Sequence, residues 1–178
     1  MSANLLYNGQ EFPDYIFTDK VKSYLFVDFD IIFTDEEFWQ IMKVFLTNNN
    51  VSKIVVENLD PDYLFREEID VAGLPKTFMK AVRTENLKGY FSCDANLHMI
   101  TIKTLIYSGE NGEIFCILLD RDYSIGIIGF SNPIKSEIFM EYEIKDVTDY
   151  LRLTFAGKDL PSDLKKTVVE NWVVYPNI

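Results

Sequence analysis

"GEIFCILLDRDYSIGIIGF", residues 112–130, decides the fold. Two apolar runs rich in β-branched and aromatic residues are separated only by Asp120-Arg121-Asp122. Strands joined by so short a link are antiparallel, because a parallel return needs a crossover of about a dozen residues or more. The run before them, "HMITIKTLIYS" (98–108), is joined through Glu110-Asn111-Gly112, and Asn-Gly accepts positive φ at a tight hairpin. "LKGYFSCD" (87–94) and "EIFMEYEIK" (137–145) read as further strands. In the second, Glu137, Glu141 and Glu143 share one face, and Ile138, Met140, Tyr142 and Ile144 share the other. The centre of the chain is thus an antiparallel meander. Gly126 and Gly129 inside it mark a bulge or a close approach.

Helical signals flank the meander. Residues 23–33 alternate, with Leu25, Val27, Phe29, Ile31 and Phe33 facing one way and Phe26, Asp28, Asp30 and Ile32 the other, which predicts a strand. Thr34 and Glu37 have capping-box spacing, and Phe38, Ile41, Met42 and Phe45 make a helical stripe that Asn48-Asn49-Asn50 stops. "VSKIVVENL" (51–59) is the next strand. Asp60 and Pro61 then predict a short helix over "DPDYLFREEID" (60–70), and "KTFMKAVRTEN" (76–86) another. After the meander come helices over "DVTDYLRLTF" (146–155) and "DLKKTVVENW" (163–172), with Ser162 as a cap, and a short strand in "VVYPNI" (173–178). The expected architecture is a single α+β domain over residues 1–178, a mainly antiparallel sheet with helices packed on one face. A chain of 178 residues is long enough for one proper core.

Composition narrows the function. Net charge is −11, which disfavours nucleic acid and anionic membrane as partners and favours a basic one. Residues 1–74 hold 14 acids against 5 bases, and the rest hold 14 against 12, so the imbalance lies in the N-terminal part. Two cysteines, Cys93 and Cys116, sit in apolar runs and fit buried thiols in a reducing cytoplasm better than a disulfide framework. No secretory leader pattern opens the chain, and no apolar run approaches the ~18 residues of a membrane span. The expected compartment is the cytoplasm.

Catalytic motifs are scarce. Asp28 and Asp30, one residue apart after an apolar strand, resemble the acidic pair of the haloacid-dehalogenase-type phosphohydrolases. That family follows its second aspartate with a small flexible residue, whereas Ile31 and Ile32 stand here. A carboxylate-dependent hydrolase using Asp28 and Asp30 is therefore the weaker of two alternatives. The single histidine, His98, and two cysteines do not fill a zinc site. No phosphate-binding glycine loop occurs, and from Asp60 the sixth and twelfth positions are Phe65 and Val71 rather than the Gly and Glu of a calcium loop. No metal, cofactor or catalytic residue is assigned. A ligand pocket under the sheet, lined by Phe91, Tyr107, Phe115, Tyr123 and Phe130, is weighed against plain core packing.

The acids offer a different chemistry. A protein can occupy the phosphate-binding site of a nuclease by presenting carboxylates where the phosphates would lie. The candidate partner-binding residues fall in three groups: Asp28 and Asp30; Asp35, Glu36 and Glu37; and Glu57, Asp60, Asp62, Glu67, Glu68 and Asp70, with Tyr63 as an aromatic anchor. If the first two strands lie side by side in parallel, groups at their C-terminal ends form one rim. In size, acidity and absence of catalytic parts the whole chain resembles the immunity proteins of bacterial contact-dependent growth inhibition and related polymorphic toxin systems. The resemblance implies a non-enzymatic protein that neutralises one cognate basic toxin domain, by expectation a nuclease. The other alternative is a small regulatory or adaptor domain.

Overall fold

The computed structural model describes residues 4–60, 65–83, 101–109, 112–134, 138–155 and 160–172. Its elements are β1 (Ser23–Asp28), α1 (Phe29–Thr34), α2 (Glu36–Asn48), β2 (Lys53–Asp60), β3 (Arg66–Asp70), a 3-10 turn (Val71–Gly73), α3 (Lys76–Arg83), β4 (Lys103–Ser108), β5 (Phe115–Asp120), β6 (Ile125–Phe130), α4 (Val147–Thr154) and α5 (Ser162–Trp172). The strands form one sheet in the order β1-β6-β5-β4-β2-β3, every neighbouring pair antiparallel. The expected α+β class and antiparallel meander are present.

β5 and β6 are buried at all six positions each, so they read as continuous apolar runs rather than as an alternation. Both faces of the sheet are therefore covered, not one. Leu25, Val27, Val56, Ile106, Ile117 and Ile128 point to a core closed by α1, α2 and α3. Phe26, Val55, Leu105, Leu118 and Ile127 point to a second core, closed by α4, α5 and the segment carrying Leu5, Phe12, Ile16 and Phe17. Gly129 serves the second core, since a Cβ there would collide with the Phe17 ring. Gly126 serves the first, where a Cβ would lie 2.9 Å from side-chain atoms of Leu119 and Val27. Both sit in regular register, so close packing and not a bulge explains them.

Four expectations are corrected. The strand predicted over 23–33 stops at Asp28, whose carboxylate accepts the Asp30 N–H at 2.8 Å and caps α1. Phe29, Ile32 and Phe33 then form a helical stripe, so "FDIIF" satisfies either period and the cap selects the helix. Asp35, not Thr34, caps α2, accepting from Glu37 and Phe38 N–H at 2.7 and 3.0 Å. Residues 66–70 are strand β3 in place of the predicted helix. Residues 138–146 form turns and no strand: Phe139 is buried, Ile138 and Met140 are exposed, and the Ile144 N–H reaches the Phe26 carbonyl on the outer edge of β1 at 2.8 Å. The predicted helix over 76–86 is described only as Lys76–Arg83, and the strands predicted over 87–94 and 173–178 lie outside the described residues, as do Cys93 and His98.

Candidate functional site: a charged rung at one end of the sheet

Strand register aligns Asp28 with Ile125, Ile125 with Asp120, Asp120 with Lys103, and Lys103 with Asp60. Facing residues in a sheet project to the same side. The last rung at this end therefore runs acid, isoleucine, acid, lysine, acid across five strands. A register shift between Asn58 and Asp60 brings Asp60 rather than Leu59 opposite Lys103. The rung lies on the face of α4, α5 and the N-terminal segment, because Phe26, Leu118 and Leu105, two residues further in, belong to that core.

Each rung carboxylate is held differently. Asp28 is half-buried: one oxygen caps α1, and the other accepts the Tyr150 hydroxyl of α4 at 2.6 Å. Tyr150 is held protonated well above the ordinary phenol range by its burial, by that hydrogen bond and by the charges of Asp28 and Asp30. Asp120 is 1% exposed, and burial pushes its carboxyl up to about 6 against the pull of Lys103 4.0 Å away. Its side chain also accepts the Asp122 N–H at 3.1 Å, which sets the turn into β6. Lys103 ion-pairs with Glu11 as well as with Asp120. Burial alone would lower the Lys103 ammonium, but Glu11, Asp120 and Asp60 together lift it above its ordinary value. Arg121 donates its Nε–H to the Thr101 carbonyl at 2.7 Å and lies over the Phe29 ring, 4.9 Å from its centroid.

Among the described residues, this end of the sheet thus carries Glu11, Asp60 and Asp120 around Lys103, Asp122 in the turn after Asp120, and Asp28 with Asp30 at the far end of the rung beside Tyr150. The head of α2 adds a further group, for burial and the charges of Asp35, Glu37 and Glu141 all raise the Tyr142 phenol. Among the described residues no group of three or more His, Cys, Asp or Glu side chains is arranged to hold a metal ion.

The sequence-predicted residues separate. β1 and β2 do not lie side by side: β6, β5 and β4 stand between them. They nevertheless run in the same direction, so Asp28 and Asp60 reach the same end and the rim survives by a different route. Asp30 is exposed in the first turn of α1 and shares no strand face with Asp28. Asp35 is spent as a cap, and Glu36 and Glu37 are exposed beside it. Glu57 accepts from the Tyr107 hydroxyl at 3.1 Å. Glu67 is half-buried, Glu68 lies 3.3 Å from Lys53 and 3.9 Å from Arg66, and Asp70 faces Lys53 at the opposite end of the sheet. These three do not join the rim. Asp62 and Tyr63 lie outside the described residues.

Sequence reading missed Glu11, Asp120, Asp122, Lys103 and Tyr150 as members of the site. The one local signal was a carboxylate ending the buried run "FCILL". The described members of the aromatic pocket do not share a face, since Phe115 and Phe130 belong to one core and Tyr107 and Tyr123 to the other, and Phe91 lies outside the described residues. An open cavity of about 350 Å³, lined by Asn49, Asn50, Lys53, Ser108 and Glu113 among others, lies at the opposite end of the sheet. No helix among the described residues is long and apolar enough to cross a membrane. Comparison of the chain with protein-family profiles, curated proteins and solved structures gives no match.

Proposed function

We propose that the chain is a non-enzymatic acidic binding protein that neutralises a basic toxin domain, a nuclease, by seating the acidic end of its sheet against the toxin's phosphate-binding surface. The observation that carries this reading is the alignment, among the described residues, of Asp28, Asp120 and Asp60 on one rung, with Glu11, Asp30 and Asp122 at the same end of the sheet. A surface of that sign attracts lysine and arginine clusters and speeds encounter by one or more orders of magnitude at low salt. The buried end of the rung gives the patch a rigid base. Asp28 is pinned by Tyr150 and Lys103 by Glu11 and Asp120, while Asp30, Asp60 and Asp122 stay exposed to meet a partner. The proposed compartment is the cytoplasm, where the buried free thiol of Cys116 stays reduced.

The test is protection against the toxin encoded by the neighbouring gene. Cells making that toxin domain should survive with the wild-type chain and die with Asp30→Asn, Asp60→Asn and Asp122→Asn combined. Purified, the triple variant should associate about tenfold or more slowly at low salt, with a shallower salt dependence. Asp19→Asn, which lies before β1 at the opposite end of the sheet, should leave both unchanged. Survival that ignores the rim carboxylates removes the patch from the mechanism, and absence of a toxin neighbour favours a regulatory domain that holds another basic protein.

A further inference from the structure

The N-terminal segment crosses the buried end of the rung as a loop on two paired legs. The Tyr7 N–H bonds the Ile16 carbonyl and the Thr18 N–H bonds the Leu5 carbonyl, each at 2.9 Å. Between these legs run residues 8–14, with Gly9 at φ +77° and Phe12 the one buried residue among them. Three kinds of contact hold the loop down. Glu11 ion-pairs with Lys103 of β4. The Phe12 ring meets the Tyr123 ring edge-on, 4.9 Å between centroids. The Pro13 carbonyl accepts the Trp172 indole N–H at 2.8 Å and the Asn171 side-chain amide at 3.3 Å. A segment with so few buried residues lifts at less cost than the strands beneath it.

Under the loop the charges are unevenly served. Lys103 is drawn at once by Glu11 of the loop, by Asp120 of β5 and by Asp60 of β2. Glu11 and Asp60 are exposed to water, whereas Asp120 is buried. The turn after Asp120 adds the Asp122 charge and the Tyr123 phenol beside it. Arg121 turns away to the other face, over Phe29. β6 presents the uncharged Ile125, and beyond it Asp28 is held by Tyr150 of α4. A closed loop therefore favours the neutral Asp120 carboxyl, and a lifted loop lets water reach the ionised one. Burial is the first cause of the raised Asp120 value, about 6, and lifting relieves it. The closed form holds a proton that the lifted form releases between 3.8 and about 6. Closure thus weakens as pH rises through that window and levels off above it.

We propose that residues 8–14 are a strap over the acidic end of the sheet, closed on Asp120 while that carboxyl is neutral and lifted when it is ionised. Lifting frees Lys103 from Glu11 and adds Asp120 to the exposed rim. The device belongs to the free chain and rests on no partner, so it stands or falls apart from the toxin reading.

The two tryptophans report on the two faces of the sheet. Trp172 donates its indole N–H to Pro13 of the strap, and Trp39 donates its own to the Ile32 carbonyl at 2.7 Å in the opposite core. Hydrogen exchange of both indole N–H groups is followed in the full chain, each referred to free indole at the same pH. Trp172 should be less protected than Trp39 at neutral pH, and its protection should fall about tenfold from pH 5 to pH 7. Asp120→Asn should abolish that fall. Glu11→Gln, which removes an exposed ion pair, should lower Trp172 protection about two- to fivefold and keep the fall. Equal protection of the two indoles would mean that only global unfolding opens the strap, and would overturn the proposal. So would Trp172 protection that ignores pH, or a fall that persists in Asp120→Asn. Should a variant fail to fold, the wild-type comparison of the two indoles still decides.

Discussion

Asp120 shows how a single carboxyl can be built into a core. It closes a strand of six buried residues, and the cation beside it, Lys103, is shared with Glu11. Burial dominates, so the folded state raises its pKa from 3.8 to about 6. The folded chain therefore holds a proton that the unfolded chain has released between those values, and this group makes stability fall as pH rises through that window. Asp120→Asn removes the titration while keeping an acceptor for the Asp122 N–H. Urea unfolding should show the variant gaining on the wild type by up to about 3 kcal/mol between pH 4 and pH 7. A difference that stays constant across that range refutes a raised carboxyl. Nothing in "FCILLD" announces this state, because it depends on what Lys103 and the N-terminal segment bring to the same rung.

Among elements, the β1–α1–α2 corner is the instructive one. The alternation of residues 23–33 continues cleanly past Asp28, yet the strand does not. Aspartate is a strong N-cap, and the side chains of Phe29, Ile32 and Phe33 bury as well on a helix as on a strand. A second aspartate, Asp35, restarts the helix as α2. Asp35→Ala should cost about 1 kcal/mol in equilibrium unfolding, the usual value of a lost cap. Thr34→Ala should cost less, since the Thr34 hydroxyl only donates to the Asp30 carbonyl at 2.7 Å within α1. The reverse order would restore Thr34 as the cap. β3 teaches a different lesson. Asp60-Pro61 is a sound helix-start signal, but "REEID" beside an open edge of β2 finds ladder bonds and a place for Ile69 that an isolated turn of helix would lack.

Across the whole molecule, carboxylates gathered at one end imply a cost to the free protein. Exposed like charges repel, and a surface kept for a partner is stabilised by being relieved of them. Asp30→Asn and Asp122→Asn combined should stabilise the free protein at low salt by about 0.3 kcal/mol per site, read as a raised melting temperature. The gain should fade as salt screens the repulsion over about 10 Å. A variant no more stable than wild type at low salt would mean that Lys103 and Arg121 already balance the rim. Taken with the association kinetics, this separates a surface built for capture from one that is merely soluble.

The sequence by itself determined the class of the fold and its central hairpins. Short links between apolar runs leave no room for a parallel return, and β5 up to Leu119 and all of β6 are apolar. It also determined the acidic character of the chain and the elements α2, α4 and α5, whose stripes and stops are local. Tertiary structure alone decided which strands are neighbours, and through that which charges meet. Asp28, Asp60 and Asp120 are far apart in sequence and stand on strands that are not adjacent, but all three strands run the same way and end on one rung. Charge placement follows strand order and direction, and those are set by the fit of two cores on opposite faces of one sheet, which no local pattern of residues encodes.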